Sequence, residues 1–325
     1  MTSRPPIILV TGAAGFVGRH LMARLFTHSA PCLPVGIDSA VPTALWDRSL
    51  SGTSLTLRDL PISTCSLEAH IAADAREGEL YHPDVVVHLA ANIVNVDQRA
   101  KMGIAAYEDL VLDYKTCLWL QKIRPRLTVL MSSCAIDGLT DPYSKVKQNL
   151  EAMAATLTKQ GLDVCILRPF SGYGHDQSLE YPFPAILHRA LTGENPLVVW
   201  GGSQVRDFVY IDDLVEALVF AIEGKFPLNK PIDIGTGVGT RFTDLVRMMA
   251  AKVGGGYDPV IECDLNKETS SAYRVAATGL AASYGWTAKV SLEEGIERCI
   301  RLLRPFPAST GRSGPDLGVP GSIGA

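Results

Sequence analysis

The stretch ILVTGAAGFVGRHLMARLF, residues 8–26, limits the fold of this chain more than any other part of it. The apolar run over 6–10 has the length of a buried strand, and the apolar residues beyond it recur with helical spacing. Between the two stand Gly12, Gly15 and Gly18. The first permits a tight turn, the second lets the backbone come close to a pyrophosphate, and the third lets the helix pack closely, with the free amides at its start facing the anion. A glycine-rich turn with no ligand reads the same in isolation. Its position after a strand and before a helix argues for the anion site.

Apolar runs return at LPVGID (33–38), SLTLRDL (54–60), DVVVHLA (84–90), LTVLMSS (127–133) and LDVCILRPF (162–170), separated by segments of helical length. Strands alternating with helices predict an α/β fold, a Rossmann-type doubly wound parallel sheet covered on both faces. After Phe170 the pattern changes to a turn-rich stretch, then to short strands at PLVVW and PIDIG and amphipathic helices at 211–224 and 241–254. This predicts a smaller C-terminal α/β domain for the substrate, made of 171–205 and about 229–305. The dinucleotide domain is expected over 1–170 with about 206–228. The last residues, 306–325, have no periodic apolar face and read as a disordered tail.

Asp38 ends the second strand, 20 residues after Gly18. A carboxylate there accepts hydrogen bonds from an adenosine ribose and repels a 2′-phosphate, so the expected cofactor is NAD rather than NADP. A solvated turn aspartate is the plainer alternative. Asp59, at the end of the third run, is open between a cap and a contact to the adenine amino group. Tyr143 and Lys147 lie four apart at the start of a helical pattern and so share a face, whereas Lys145, two away from the tyrosine, points elsewhere. An ammonium beside a phenol lowers its proton affinity from an ordinary pKa near ~10. Ser133, ending a strand ten residues earlier, supplies a hydroxyl for a substrate oxygen. The trio suits removal of an alcohol proton while hydride leaves the same carbon.

A net charge of −4 offers no bulk attraction to nucleic acid or an anionic membrane, so an anionic substrate has to be held by local donors. The seven cysteines form no CxxC pair and no metal-ligand spacing, which predicts free thiols, mostly buried, in a cytoplasmic protein without a metal. The N-terminal run IILV is too short for a signal peptide or a membrane span.

With TGAAGFVG, VVVHLAA, Ser133, Tyr143, Lys147, LRPFSGYG, GGSQVRDFVYIDDLVEAL and YGWTAKVSLEEGI in place, the chain resembles the extended short-chain dehydrogenase/reductase family, in its NAD-dependent nucleotide-sugar epimerase/dehydratase group. The resemblance spans roughly residues 5–303. It implies cofactor contacts from Phe16 and Val17 beside the glycines, and from Asp38 and Ser39. It places Asp59 and Leu60 about the adenine, and Leu89, Ala90, Ala91 and Pro169 with Tyr143 and Lys147 toward the nicotinamide. It makes Ser133, Cys134, Ser171 and Val199 neighbours of the substrate, and Arg206 a ligand of its diphosphate. An ion pair of Arg206 with Asp207 or Asp213 is the structural alternative. The partner so implied is a nucleotide diphosphate sugar, with a homodimer formed through LVLDYKTCLWL.

Departures from the pattern narrow the activity. Dehydratases of the group carry an Asp-Glu pair after the catalytic Ser/Thr, where this chain has Cys134 and Ala135, neither able to eliminate water at neutral pH. The connection from Gly138 to Tyr143 is only four residues, Asp137 replaces a tyrosine, Ser171 an asparagine, and Leu110 the asparagine of the preceding helix. The arginine usually found before the C-terminal substrate loop is not recognisable in DLNKETSSAYR, where Lys267 or Arg274 could supply charge. These changes cluster about the sugar and predict an unusual or bulky one. His175 is open between a substrate contact and an interior histidine, and His88 reads as structural. The expected activity is 4-epimerisation by transient oxidation at C4, with a 4-ketoreductase or a dinucleotide-binding regulatory protein as the alternatives.

Overall fold

The computed structural model describes residues 4–29, 31–40, 59–67, 69–70, 82–92, 104, 107–136, 141–266 and 271–303. Most of the expected third strand, Asp137, Gly138, Lys267 and the tail beyond 303 lie outside them.

The alternation of buried strands with helices produces a seven-stranded sheet. Its strands are β1 (Ile7–Thr11), β2 (Leu33–Asp38), β3 (Ile62–Thr64), β4 (Val85–His88), β5 (Leu127–Met131), β6 (Val164–Pro169) and β10 (Pro231–Ile234), in the spatial order β10-β6-β5-β4-β1-β2-β3. Every pairing is parallel. The connections are helices, since parallel neighbours need a crossover: α1 (Phe16–Phe26), α2 (Glu108–Ile123), α3 (Pro142–Lys159) and α5 (Ile211–Ile222). Leu9, Val10, Val85, Val86, Val87, Val129 and Leu130 show almost no surface, which is why β1, β4 and β5 carry no alternation of polar residues. The strand order reverses between β1 and β4, and the crevice of such a sheet opens there.

The remaining elements stand beyond this sheet. β7 (Ser171–Tyr173), β9 (Val205–Tyr210), β11 (Gly239–Arg241) and β13 (Tyr273–Arg274) form a second sheet around β9. β8 (Leu197–Trp200) pairs with β12 (Ile261–Asp264), and α4 (Pro182–Leu191), α6 (Phe242–Val253), α7 (Gly279–Ser283) and α8 (Leu292–Leu303) complete the chain. Two details differ from the pattern read in the sequence. The turn-rich stretch after Phe170 opens with a strand, because Ser171–Tyr173 pairs with Phe208–Tyr210, and turns follow it. PIDIG, within the stretch assigned to the smaller domain, is the edge strand of the large sheet, whereas the strand beginning the 206–228 segment is the centre of the small one.

The third strand also sits later than its apolar run. β3 starts at Ile62 and pairs with Gly36–Asp38. A Cβ on Gly36 would meet the Ile62 side chain at 2.9 Å, so the isoleucine fills the place that glycine leaves open. The alternation in SLTLRDL is strand-like, but this contact sets the register.

Candidate active site

The glycine loop is a close-packed cradle. Gly12 has φ +68°, and a Cβ there would stand 2.7 Å from the Ala90 amide nitrogen; a Cβ on Gly18 would stand 2.0 Å from the Gly12 carbonyl oxygen. Thr11 and His88 tie the same region together. The Thr11 hydroxyl oxygen accepts the Leu89 and Ala90 amides, both at 3.2 Å, and lies 2.7 Å from His88 Nδ1. His88 Nε2 is 3.0 Å from Asp113 Oδ1. With Thr11 accepting two amides, its proton goes to Nδ1, and the imidazole then donates from Nε2 to the aspartate. His88 is thus a structural link between β1, β4 and α2.

The loop opens on a cavity of 1320 Å³. Its cofactor side is lined by Gly12, Gly15, Phe16, Val17, Gly18, Asp38, Ser39, Leu89, Ala90, Ala91 and Pro169. Asp38 accepts the Ala14 amide at 2.9 Å and the Ala40 amide at 3.1 Å, which aims the carboxylate across the loop. A glycine cradle at the start of α1 with an anchored acceptor 20 residues beyond Gly18 fits a dinucleotide in chemistry and in room. Asp59 and Leu60 do not line it. Because β3 begins at Ile62, Leu60 points into the core and Asp59 is exposed, while Cys65, Ser66 and Leu67 at the far end of β3 take the wall expected of them.

Ser133, Tyr143 and Lys147 line the same cavity. β5 ends at Met131, and a 3-10 turn, Cys134–Ile136, follows Ser133. The Ser133 hydroxyl oxygen accepts the Ala135 amide at 3.1 Å. Asp141 caps α3, accepting the Tyr143 amide at 3.1 Å and the Ser144 amide at 3.3 Å, with Pro142 in the first turn, so sequence TDPYSK starts a helix at this point. The Ser144 hydroxyl donates to the Ala135 carbonyl at 2.7 Å and Gln148 Nε2 to the Ile136 carbonyl at 2.8 Å. These bonds fasten the turn bearing Ser133 to the helix bearing Tyr143 and Lys147. Lys147 is 4% exposed, donates to the Met131 carbonyl at 3.3 Å and lies 6.0 Å from the centre of the Tyr143 ring. Lys145 points outward, as its spacing requires. Behind them Glu151 accepts Arg168 through two bonds, at 2.8 and 2.7 Å, and the Ser132 hydroxyl as well, locking α3 to β5 and β6.

The far end of the cavity is lined by Cys134, Ser171, Val199 and Arg206 among others. Burial pushes the Cys134 thiol up, against the opposing charges of Arg274 and Arg206, so it stays protonated near neutral pH. Arg206 donates to the carbonyls of Val205 and Ser271, both at 2.7 Å. Arg274, left open in the sequence, stands opposite Arg206 on the parallel neighbour β13. Its Nε and Nη2 are buried without a hydrogen-bond partner. Burial, and then the Arg274 guanidinium, pull the Arg206 pKa down to about 10, so Arg206 remains a cation at neutral pH. Two guanidinium groups side by side favour an anion between them.

Sequence reasoning missed Asp109. By resemblance Leu110 takes the place of an asparagine, but Asp109 is the buried side chain, accepting the Asn92 amide at 2.8 and 3.0 Å. Burial raises its pKa, opposed by the Asn92 amide and the Lys147 charge. His175 is interior and stacks edge-on with His20 at 5.7 Å. It does not line the cavity.

Fold and cavity together define a Rossmann-type dinucleotide-dependent enzyme. A family model described as the NAD dependent epimerase/dehydratase family matches residues 8–235, and the chain belongs to that family. Among its relatives, UDP-glucose 4-epimerase of Mycolicibacterium smegmatis is 27% identical, covering 91% of this chain and 98% of that protein. The crystal structure of UDP-glucose 4-epimerase from Thermotoga maritima with UDP-glucose superposes with a TM-score of 0.76 at 24% identity, over 91% of this chain and 98% of the other. The UDP-glucuronic acid 4-epimerase of Bacillus cereus, in complex with UDP-glucuronic acid and NAD, gives a TM-score of 0.75 at 24% identity with the same coverage.

Proposed function

We propose that the chain is an NAD-dependent nucleotide-sugar 4-epimerase. The observation that carries the reading is one cavity holding a glycine cradle, Ser133 with Tyr143 and Lys147, and Arg206, with Arg274 set against Arg206 on the neighbouring strand. The UDP-sugar 4-epimerases among its relatives support it. Gly12, Gly15, Gly18 and Asp38 hold the dinucleotide, and Arg206 with Arg274 holds the diphosphate. When bound, NAD supplies the acceptor and returning donor for the hydride of the sugar carbon. Tyr143 takes the proton of the alcohol and gives it back, Ser133 holds the same oxygen, and Lys147 stands beside the tyrosine on the same helix face. Cys134 and Ala135 supply neither acid nor base for elimination, which favours epimerisation over dehydration.

The chain divides into two domains, the large sheet serving the cofactor and the β9 sheet the substrate. Seven unbridged thiols suit a cytoplasmic protein. Among the described residues no helix is long and apolar enough to cross a membrane. Val111, Tyr114 and Leu118, each about half exposed on one face of α2, are proposed as a homodimer contact.

The test is to denature freshly purified protein and identify the released nucleotide by mass spectrometry. Near-stoichiometric NAD, with interconversion of UDP-sugar C4 epimers and no added cofactor, is expected. An empty site with turnover only when reduced cofactor is supplied would make the protein a 4-ketoreductase instead.

A further inference from the structure

Asp207 follows Arg206 on β9 and is fully buried, yet none of the chemistry above uses it. Successive strand residues face opposite ways, so its carboxylate lies on the other side of β9 from the Arg206 guanidinium. It accepts four hydrogen bonds. Oδ1 receives the Thr236 amide at 2.9 Å and the Thr236 hydroxyl at 2.6 Å; Oδ2 receives the Gly237 amide at 2.8 Å and the Ala276 amide at 3.2 Å. A Cβ on Gly235 would stand 2.6 Å from Oδ2, so the turn at 235–237 is fitted to the carboxylate. Buried carboxylates are held by such convergent donors at a cost that isolated ones cannot meet.

The fourth bond has a consequence for the diphosphate end of the cavity. Ala276 lies two residues past Arg274, on the segment that β13 begins. β13 is only Tyr273–Arg274, a bridge too short to be stable by itself, and its pairing with β9 puts two cations next to each other. On the near side the segment is held through the Ala272 carbonyl, which accepts the Val205 amide at 2.9 Å. On the far side the bond from Ala276 to Asp207 ties it back to β9.

We infer that Asp207 is a positioning residue for diphosphate binding: through Ala276 it holds β13 against β9, and thereby keeps Arg274 beside Arg206 in the absence of the anion that joins them. The inference rests on the nucleotide-sugar reading, because it names what sets the affinity of that site.

Isothermal titration of the purified holoprotein with uridine, guanosine and thymidine diphosphates and with inorganic pyrophosphate tests it. Arg274→Ala is expected to weaken the best probe about 10- to 100-fold, the range of a lost charged hydrogen bond. Asp207→Asn should weaken it comparably. In the Arg274→Ala background it should cost less than about threefold more, since coupled residues are not additive. In turnover, the rise in KM should exceed the fall in kcat. Thr236→Val, which removes one of the four bonds but keeps the one to Ala276, should stay within about twofold of wild type. Ala276→Pro deletes that amide while leaving the Asp207 carboxylate in place, and serves if Asp207→Asn does not fold; it should reproduce the loss. Wild-type affinity in either of these two variants, full additivity with Arg274→Ala, or an equal loss in Thr236→Val overturns the inference. A wild-type protein that binds none of the four probes refutes the nucleotide-sugar reading itself, and the inference with it.

Discussion

At the scale of single residues, the chemistry turns on how a lysine is held in a buried site. Lys147 has the Met131 carbonyl as a hydrogen-bond partner and the carboxylate of Asp109 within electrostatic range. Its Nζ lies 6.0 Å from the centre of the Tyr143 ring four residues back. Tyr143→Phe removes the proton acceptor but keeps the ring, so turnover should fall by about 10²- to 10⁴-fold, while NAD released on denaturation stays near the wild-type amount. Undiminished turnover would remove Tyr143 from the chemistry. That Tyr143 and Lys147 share a face was legible from a spacing of four. That Asp109 rather than Leu110 stands behind them was not, because adjacent helix residues differ by about 100° and only packing shows which one turns inward.

At the scale of elements, α1 is held at its first turn by a buried ion cluster that local patterns do not reveal. Arg19 donates to Asp176 Oδ2 at 2.8 Å and to the Asp176 carbonyl at 2.7 Å, and His20 Nε2 lies 2.8 Å from Oδ1. The cluster pins the loop after β7 to the cofactor helix, over 156 positions of sequence. Burial by itself would raise the Asp176 pKa, but the bond and charge of His20, and then those of Arg19, hold the carboxyl well below its ordinary range. A depressed carboxyl contributes stability above its unfolded pKa of about 4, and that contribution fades as pH falls from there toward the folded value. Asp176→Asn should therefore cost about 3 kcal/mol at pH 7, the penalty of a broken buried pair. Thermal melts should show the gap to wild type closing below about pH 4; a gap independent of pH would contradict the account. The glycine loop belongs to the same scale. Gly18→Ala places a methyl 2.0 Å from the Gly12 carbonyl and should yield protein that melts lower and retains no NAD on purification.

At the scale of the whole molecule, α2 presents an exposed stripe suited to a partner, since apolar side chains at 111, 114 and 118 recur on one helical face. Leu118→Glu should convert a dimer to a monomer, read by light scattering coupled to gel filtration. A wild-type monomer at micromolar concentration would set the dimer aside.

The parallel sheet, the glycine cradle, Asp38, and the spacing of Ser133, Tyr143 and Lys147 are legible in the linear sequence, because each rests on a local rule: a buried run, a turn that only glycine allows, a helical spacing. The sequence also carried the resemblance to the family. Tertiary structure alone decided which sheet each later strand joins, since PIDIG and VRDFVY look alike as strands and differ only in their neighbours. It moved β3 to Ile62 through one fit against Gly36, and with it replaced Asp59 and Leu60 by Cys65, Ser66 and Leu67 at the cofactor wall. It brought Arg274 beside Arg206 across 68 positions of chain, by a two-residue pairing that no periodicity announces. Contacts between distant segments depend on shape and on hydrogen bonds that close only in the folded state, and a linear pattern holds no record of them.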